Sequence, residues 1–295
     1  MHLMPVAFPE KKDEPNSCSN QHLARIVSAV QTRVQQRKGS VPLSDLQRAC
    51  LSAKQRPSFR HALEGLEVSL IAEVKRASPS AGPIRLDLDV SSTVQAYEEA
   101  GARAVSVLTE QDFFAGSPED LIQAAQSTSL PILRKDFVID VYQVYEAKAW
   151  GASAVLLIAA VLNDEELRRF SRVAYDLGLD VLIEAHDKAE LMRALAVDGA
   201  IVGINNRDLR TFEVSLSTSL ELSHLVPPGR LLVAESGIRH RGDVERLAAA
   251  GVDAILVGEA LLRASDVRHA VGVLLEPKSV KAPRRLCRPG RGEVL

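Results

Sequence analysis

Cysteine is scarce in this chain. Cys18, Cys50 and Cys287 are the three among 295 residues, far apart and odd in number. With no C-x-x-C pair, zinc sites and disulfide frameworks are both disfavoured, and reduced thiols in a cytosol are expected. Aromatic residues make up only 4 %, too few for the stacking platforms of single-stranded nucleic-acid binders. An excess of one charge is also lacking. Lys and Arg number 36 against 38 Asp and Glu, a net charge of −2, so no global field draws in nucleic acid or an anionic membrane. The longest apolar run, Ala154 to Leu162, falls far short of the ~20 residues of a membrane helix. Met1 to Pro15 carries Glu10, Lys11, Lys12, Asp13 and Glu14, without the apolar stretch of a secretory signal. A cytoplasmic protein with a small-molecule partner, and with neither nucleic acid nor membrane, is the expectation.

What is present is ordinary for a globular protein: 46 % hydrophobic and 25 % charged residues. The length suits two average domains or one large α/β barrel. Residues 1–19 lack periodicity and read as a disordered tail. Residues 277–295 carry Lys278, Lys281, Arg284, Arg285, Arg288 and Arg291 and read as a disordered basic tail. Between them, 20–276 form the working unit, with N-terminal helices over 20–56. Leu23, Ile26, Val27, Val30 and Val34 share one helical face, with Asn20 as cap and Gly39 beyond the end. Ser44-Asp45-Leu46-Gln47 has the pattern of a capping box for a second helix.

From Ser69 the grammar changes. Short apolar runs recur at Ser69–Lys75, Ala104–Thr109, Pro131–Phe137, Ala154–Ala160, Asp180–His186, Ala200–Asn206, Leu231–Gly237 and Ala254–Ala260, each followed by a helical stretch. The spacing fits one strand plus one crossover helix. Helix starts are marked by Ser117-Pro118, Asp140, Asn163-x-x-Glu166 and Asp187-x-x-Glu190, and stops by Gly101, Gly151, Gly178, Gly199 and Gly251. Eight βα units can wind an open sheet or close a barrel. No dinucleotide or Walker loop opens any of the helices. Nearly every run instead ends in polar groups: Glu73 and Lys75, Glu110, Lys135, Glu184, Asn205 and Arg207, Glu235 and Ser236, Glu259. Only a closed (β/α)8 TIM barrel gathers all those carboxyl ends around one mouth, so the fold is read as a single barrel with an N-terminal helical extension. Residues two apart on a strand share a face, which pairs Glu73 with Lys75 and Asn205 with Arg207.

Interleaved lysines and carboxylates without metal-ligand spacing suit proton transfer on an anionic substrate. Phosphate is expected at loops seven and eight. Ser236, Gly237, Gly258 and the backbone N–H of Glu259 would hold it there, with the Glu259 side chain turned away. Ser78 would add a hydroxyl.

Ala72-Glu73-Val74-Lys75-Arg76-Ala77-Ser78-Pro79-Ser80 resembles the first-strand signature of indole-3-glycerol-phosphate synthases. So do Leu108–Ser117 (LTEQDFFAGS), Leu133–Phe137 (LRKDF), Leu182–His186 (LIEAH), Gly203–Leu209 (GINNRDL), Ala234–Ile238 (AESGI) and Val257–Ala260 (VGEA), in order along residues 20 to 275. The resemblance implies a tryptophan-pathway lyase acting without a cofactor. Its substrate would be 1-(2-carboxyphenylamino)-1-deoxyribulose 5-phosphate, and other tryptophan-pathway enzymes its further partners. It also implies roles. Lys135 is the general acid of ring closure. Lys75, Glu73 and Glu184 share the later acid–base work, and Lys75 is also a carboxylate anchor. Asn205 and Arg207 position the substrate, and Glu235 is a polar support. Pro79, Phe114, Phe137, Leu156 and Leu209 form an apolar pocket.

Plainer readings stand beside these. Arg134 and Asp136 alternate with Lys135 and should face away. Phe113 reads as core or rim packing, Trp150 as packing between helix and sheet, and His186 as a loop histidine that hydrogen-bonds locally. The rival functions are another sugar-phosphate isomerase barrel, which needs no carboxylate anchor, and a non-catalytic barrel scaffold.

Overall fold

A computed structural model describes residues 21–276 and 279–283. Eight parallel strands close into a barrel: β1 (Ser69–Val74), β2 (Ala104–Leu108), β3 (Ile132–Lys135), β4 (Ala154–Ile158), β5 (Asp180–Ala185), β6 (Ile201–Asn205), β7 (Leu232–Glu235) and β8 (Ala254–Val257). Each pairs with its sequence neighbours, and β8 closes on β1 with Ser69 opposite Ala254. Every strand lies within the run expected for it. None reaches the expected C-terminal limit, because the last residues of each run belong to the loops of the mouth.

The strands alternate as their pleat demands. Leu70, Ala72 and Val74 of β1 pack outward against the helices, whereas Ile71 faces the barrel interior with Leu133, Leu156, Leu182, Ile201, Val233 and Leu256. The helices between them begin where their caps say. Ser117, Asp140, Asn163 and Asp187 each accept a backbone N–H of the first turn, and Asp140 and Asn163 complete reciprocal capping boxes. The five stop glycines all have positive φ, from 71° to 98°, which a side chain would strain. Arg134, as expected, lies outside the barrel wall. It pairs with Asp136 and Glu146 and stacks 4.4 Å above the Trp150 ring.

Three helices precede β1: α1 (Gln21–Ser40), α2 (Leu43–Ser52) and α3 (Phe59–Leu63). The α1 helix is tied across the barrel by Arg33 to Asp112, Arg37 to Glu146 and Lys38 to Asp140. The capping box expected at Ser44 is not formed. Helix α2 starts two residues earlier, after Pro42, whose carbonyl takes the Asp45 N–H, and Ser44 turns to the Asp45 carboxylate. Helix α3 was not expected, since five residues are too few to show a period. It drives the fully buried Phe59 and Leu63 against the barrel floor.

The C-terminal tail needs a correction. Residues 279–282 were expected to be free but dock under the barrel. Val280 bridges Glu67, the Lys281 N–H donates to Leu66, and the Lys281 ammonium pairs with Asp253 at 2.8 Å. Backbone pairing and one cation finding its carboxylate make the tail begin later than its composition suggested. The expected tail 1–19, residues 277–278 and 284–295 of the expected tail 277–295, and the Asn20 cap lie outside the described residues. Among the described residues, no helix is long and apolar enough to cross a membrane.

Candidate active site

The strand ends open into a cavity of about 450 Å³. All the residues expected at the site line it. They are Lys135, Lys75, Glu184, Glu73, Asn205, Ser78, Pro79, Phe114, Phe137, Leu156, Arg207, Leu209, Glu235, Ser236, Gly237, Gly258 and Glu259. The barrel geometry explains the convergence. Glu73, Lys135, Glu184, Asn205 and Glu235 occupy inward positions near the carboxyl ends of five strands, so five side chains from distant sequence meet on one axis.

At the base of the cavity, Lys135 Nζ lies 2.8 Å from Glu184 Oε2 and 3.4 Å from Glu235 Oε2. Lys75 Nζ lies 2.5 Å from Glu73 Oε1. The backbone makes room for these carboxylates. A Cβ at Gly258 would sit 2.5 Å from Glu73 Oε1, and one at Gly203 would collide with Glu235. Gly258 thus serves the buried acid as well as the expected anion loop. Asn205 Oδ1 accepts the Arg207 N–H at 3.0 Å, and the Arg207 guanidinium donates to the Phe212 carbonyl at 3.2 Å, so both heads are held toward the cavity.

The electrostatics separate the two acids beside Lys135. Burial works against the Lys135 charge, but Glu184, Glu235 and Glu73 overcome it and hold the ammonium well above its usual range. Burial likewise opposes the Glu184 charge, yet Lys135 and His186 bring that carboxyl well below its usual range. Glu235 is different. Burial and the charges of Glu184 and Glu73 outweigh Lys135 and push it up to about 8. Neither Glu235 oxygen has a hydrogen-bond partner. Two carboxyl groups beside one lysine therefore hold opposite protonation states near neutral pH, the kind of division that acid–base sites use.

Across the cavity, loops seven and eight face each other. Ser236 and Gly237 both adopt left-handed backbone, at φ 65° and 78°, and Ser236 is the strained one because it carries a side chain. Gly258 precedes the short helix Glu259–Leu262. The Glu259 carboxylate turns along that helix to Arg263 at 2.9 Å, the orientation expected of it. Above, Phe114 and Phe137 pack as a tilted pair with ring centres 6.1 Å apart, and Pro79, Leu156 and Leu209 complete the apolar wall.

Glu110 departs from its expected place. It does not line the mouth; it is buried behind the rim and accepts the backbone N–H groups of Asp112, Phe113 and Phe114. Burial, reinforced by Asp136 and Asp112, lifts it to about 7. Its work is to shape the loop that carries Phe114. Several lining residues were not expected at the site: Leu23 and Ile26 of α1, read only as part of a helical face, and Phe212, Arg239 and Arg263. Of these only Arg263 carried a signal, four residues after Glu259. Among the described residues, no group of three or more His, Cys, Asp or Glu could hold a metal ion.

Comparison with known proteins adds an independent result. The family model described as indole-3-glycerol phosphate synthase matches residues 23–274. A protein of Neisseria meningitidis serogroup B with that name is 45 % identical over 256 residues, 85 % of this chain and 98 % of the relative. One of Carboxydothermus hydrogenoformans is 44 % identical over 262 residues, 86 % and 99 % of the two chains. Among solved structures, 3-hexulose-6-phosphate synthase from Salmonella typhimurium superposes with a TM-score of 0.58 at 13 % identity, over 70 % of this chain and 96 % of that one. Such low identity shows the shared barrel alone.

Proposed function

This chain belongs to the indole-3-glycerol phosphate synthase family, and from that premise we propose that its barrel mouth carries out the synthase reaction. The enzyme is a decarboxylating lyase of tryptophan biosynthesis. It closes the ring of 1-(2-carboxyphenylamino)-1-deoxyribulose 5-phosphate and releases carbon dioxide and water to leave indole-3-glycerol phosphate. The observation that carries the reading is Lys135, a half-buried ammonium held between Glu184 and Glu235 at the base of the cavity that loops seven and eight also enclose.

The substrate has a phosphate at one end, a benzoate at the other and a ketone between. Its phosphate fits the backbone N–H groups around Ser236, Gly237, Gly258 and Glu259, with Arg207 and Ser78 near. Its aromatic ring fits the wall of Phe114, Phe137, Pro79, Leu156 and Leu209, and Lys75 meets the carboxylate. Ring closure joins the carboxylate-bearing aromatic carbon to the ketone carbon. The carbonyl oxygen gains negative charge, and Lys135 protonates it. Carbon dioxide then leaves without the bonding pair, which stays with the ring carbon and restores the aromatic ring. The new hydroxyl departs as water while a ring proton is lost. Lys75, Glu73 and Glu184 surround the position where those protons move, and Glu235, holding its proton near neutral pH, stands beside them. Asn205 orients the sugar.

No step changes oxidation state overall beyond the loss of carbon dioxide, and side chains can supply every proton, so the reading needs no cofactor. The substrate class favours this assignment over an isomerase, which would leave Lys75 with no carboxylate to bind. We place the enzyme in the cytoplasm, with other tryptophan-pathway enzymes as neighbours. Purified protein mixed with the carboxyphenylamino substrate should develop indole-type fluorescence. Silence from folded protein would refute the assignment.

A further inference from the structure

His186 lies just beyond β5 on a loop where local hydrogen bonding was expected. The structure gives it a longer reach. Its side chain is only 12 % exposed. Nδ1 lies 2.9 Å from Glu190 Oε2, and the same oxygen accepts the His186 backbone N–H at 2.8 Å. Glu190 is itself placed by the helix start, where the Asp187 cap accepts its N–H at 2.9 Å. The ring is thus bolted to the helix Lys188–Leu195 through one nitrogen. The other nitrogen, Nε2, lies 3.2 Å from Glu184 Oε1. It is buried and makes no hydrogen bond, so its contact with Glu184 is that of an ion pair.

Glu184 is therefore gripped from two sides, with Lys135 on Oε2 and His186 on Oε1. We propose that His186 is a positioning residue, an imidazolium that fixes the orientation and negative charge of Glu184 for the reaction. Two carboxylates flank one imidazole, and that arrangement favours the doubly protonated ring. Burial opposes the charge, but Glu184 and Glu190 outweigh it and lift the histidine to about 10. The other charges near this corner are Asp187 and Arg210. Arg210 is exposed and already committed to Asp208.

The division of labour follows from the geometry. Lys135 must give up a proton during ring closure, and at that moment it ceases to neutralise Glu184. A second cation on the opposite oxygen keeps the carboxylate ionised and in place through that change. His186 itself touches Glu184 and Glu190; it acts through Glu184.

The inference rests on the synthase reading, so the parent protein is assayed first; if it makes no indole-3-glycerol phosphate, the synthase reading fails by itself. Two variants that fill the same space then separate the roles. His186→Phe, which offers no N–H, should lower kcat about 10- to 100-fold with KM within about twofold, the range for losing an outer residue that orients a reacting group. His186→Gln, which keeps an N–H donor, should retain at least about threefold more kcat than the Phe variant. Independently of turnover, 15N spectra of the parent should show both His186 ring nitrogens protonated at pH 8. A Phe variant within twofold of the parent, a Gln variant no better than Phe, or a ring nitrogen without its proton at pH 8 would overturn the proposal. If the Phe variant does not fold, the Gln variant must still lose kcat against the parent, and the parent's imidazole signal still decides.

Discussion

The two ends of the barrel use charge in opposite ways. At the floor, charged groups are spent on the backbone. The Arg56 guanidinium donates to the carbonyls of Ala125, Thr128 and Leu130, and Arg230 to those of Leu195, Val197 and Ala200. Asp180 accepts from Ser58 and the Arg60 N–H. Phe59 and Leu63 seal the interior above them. At the mouth, groups buried as deeply or more so are left incomplete. Glu235 has no hydrogen bond for either oxygen, and Lys135 sits among three acids with a cavity beside it. Unmet hydrogen-bonding capacity in a buried group costs stability. The floor carries a little of this cost, since the buried Arg56 Nε has no partner, but the mouth concentrates it on a whole carboxyl group beside a cavity, as fits an end that receives a ligand.

That contrast can be broken by experiment. The largest effect should come from Lys135→Met, which removes the general acid and should lower turnover by on the order of 10²–10⁴. Near-normal turnover in folded protein would strip Lys135 of its role. At the floor, Phe59→Ala should cost about 3–5 kcal/mol in chemical denaturation, as other buried aromatics do, while the folded fraction turns over within about twofold of the parent. A matching fall in turnover would show that the ends are not separable.

A smaller effect tests the rim. The folded protein holds Glu110 at about 7 against an ordinary value of 4.5. Between those values the folded state keeps a proton that the unfolded chain releases, so the Glu110 contribution falls as pH rises through that window. The stability gap between parent and Glu110→Gln should therefore shift toward the variant by on the order of 2–3 kcal/mol from pH 4.5 to 8. A pH-independent gap would remove Glu110 as the cause. The smallest effect is expected beneath the floor. Lys281→Met should lower the melting temperature by roughly 2–4 °C, equivalent to about 1 kcal/mol, with turnover unchanged. No shift at all would mean the docked segment adds nothing to stability.

Much of this molecule is written locally. The caps at Ser117, Asp140, Asn163 and Asp187 and the stop glycines act within a few residues of themselves, so they are readable wherever they stand. Strand alternation told which side of β1 would carry Glu73 and Lys75, and the motif Leu133–Phe137 put Lys135 inward with Arg134 and Asp136 outward. Composition misled where one contact outweighed it, at Lys281 with Asp253. Glu110 misled because its strand-end position matched that of the active acids, while its carboxylate found three N–H groups on its own loop.

The amino-acid order alone determined the repeating βα units, the inward residues and the polar ring they form, because each depends on neighbours a few positions away. Closure of the barrel brought Lys135 to Glu184, 49 positions on, and to Glu235 beyond it. Only that closure decided which acid keeps its proton and that His186 reaches Glu184. A buried group's charge reflects the summed field of every charge around it, and those charges meet only when the chain has folded.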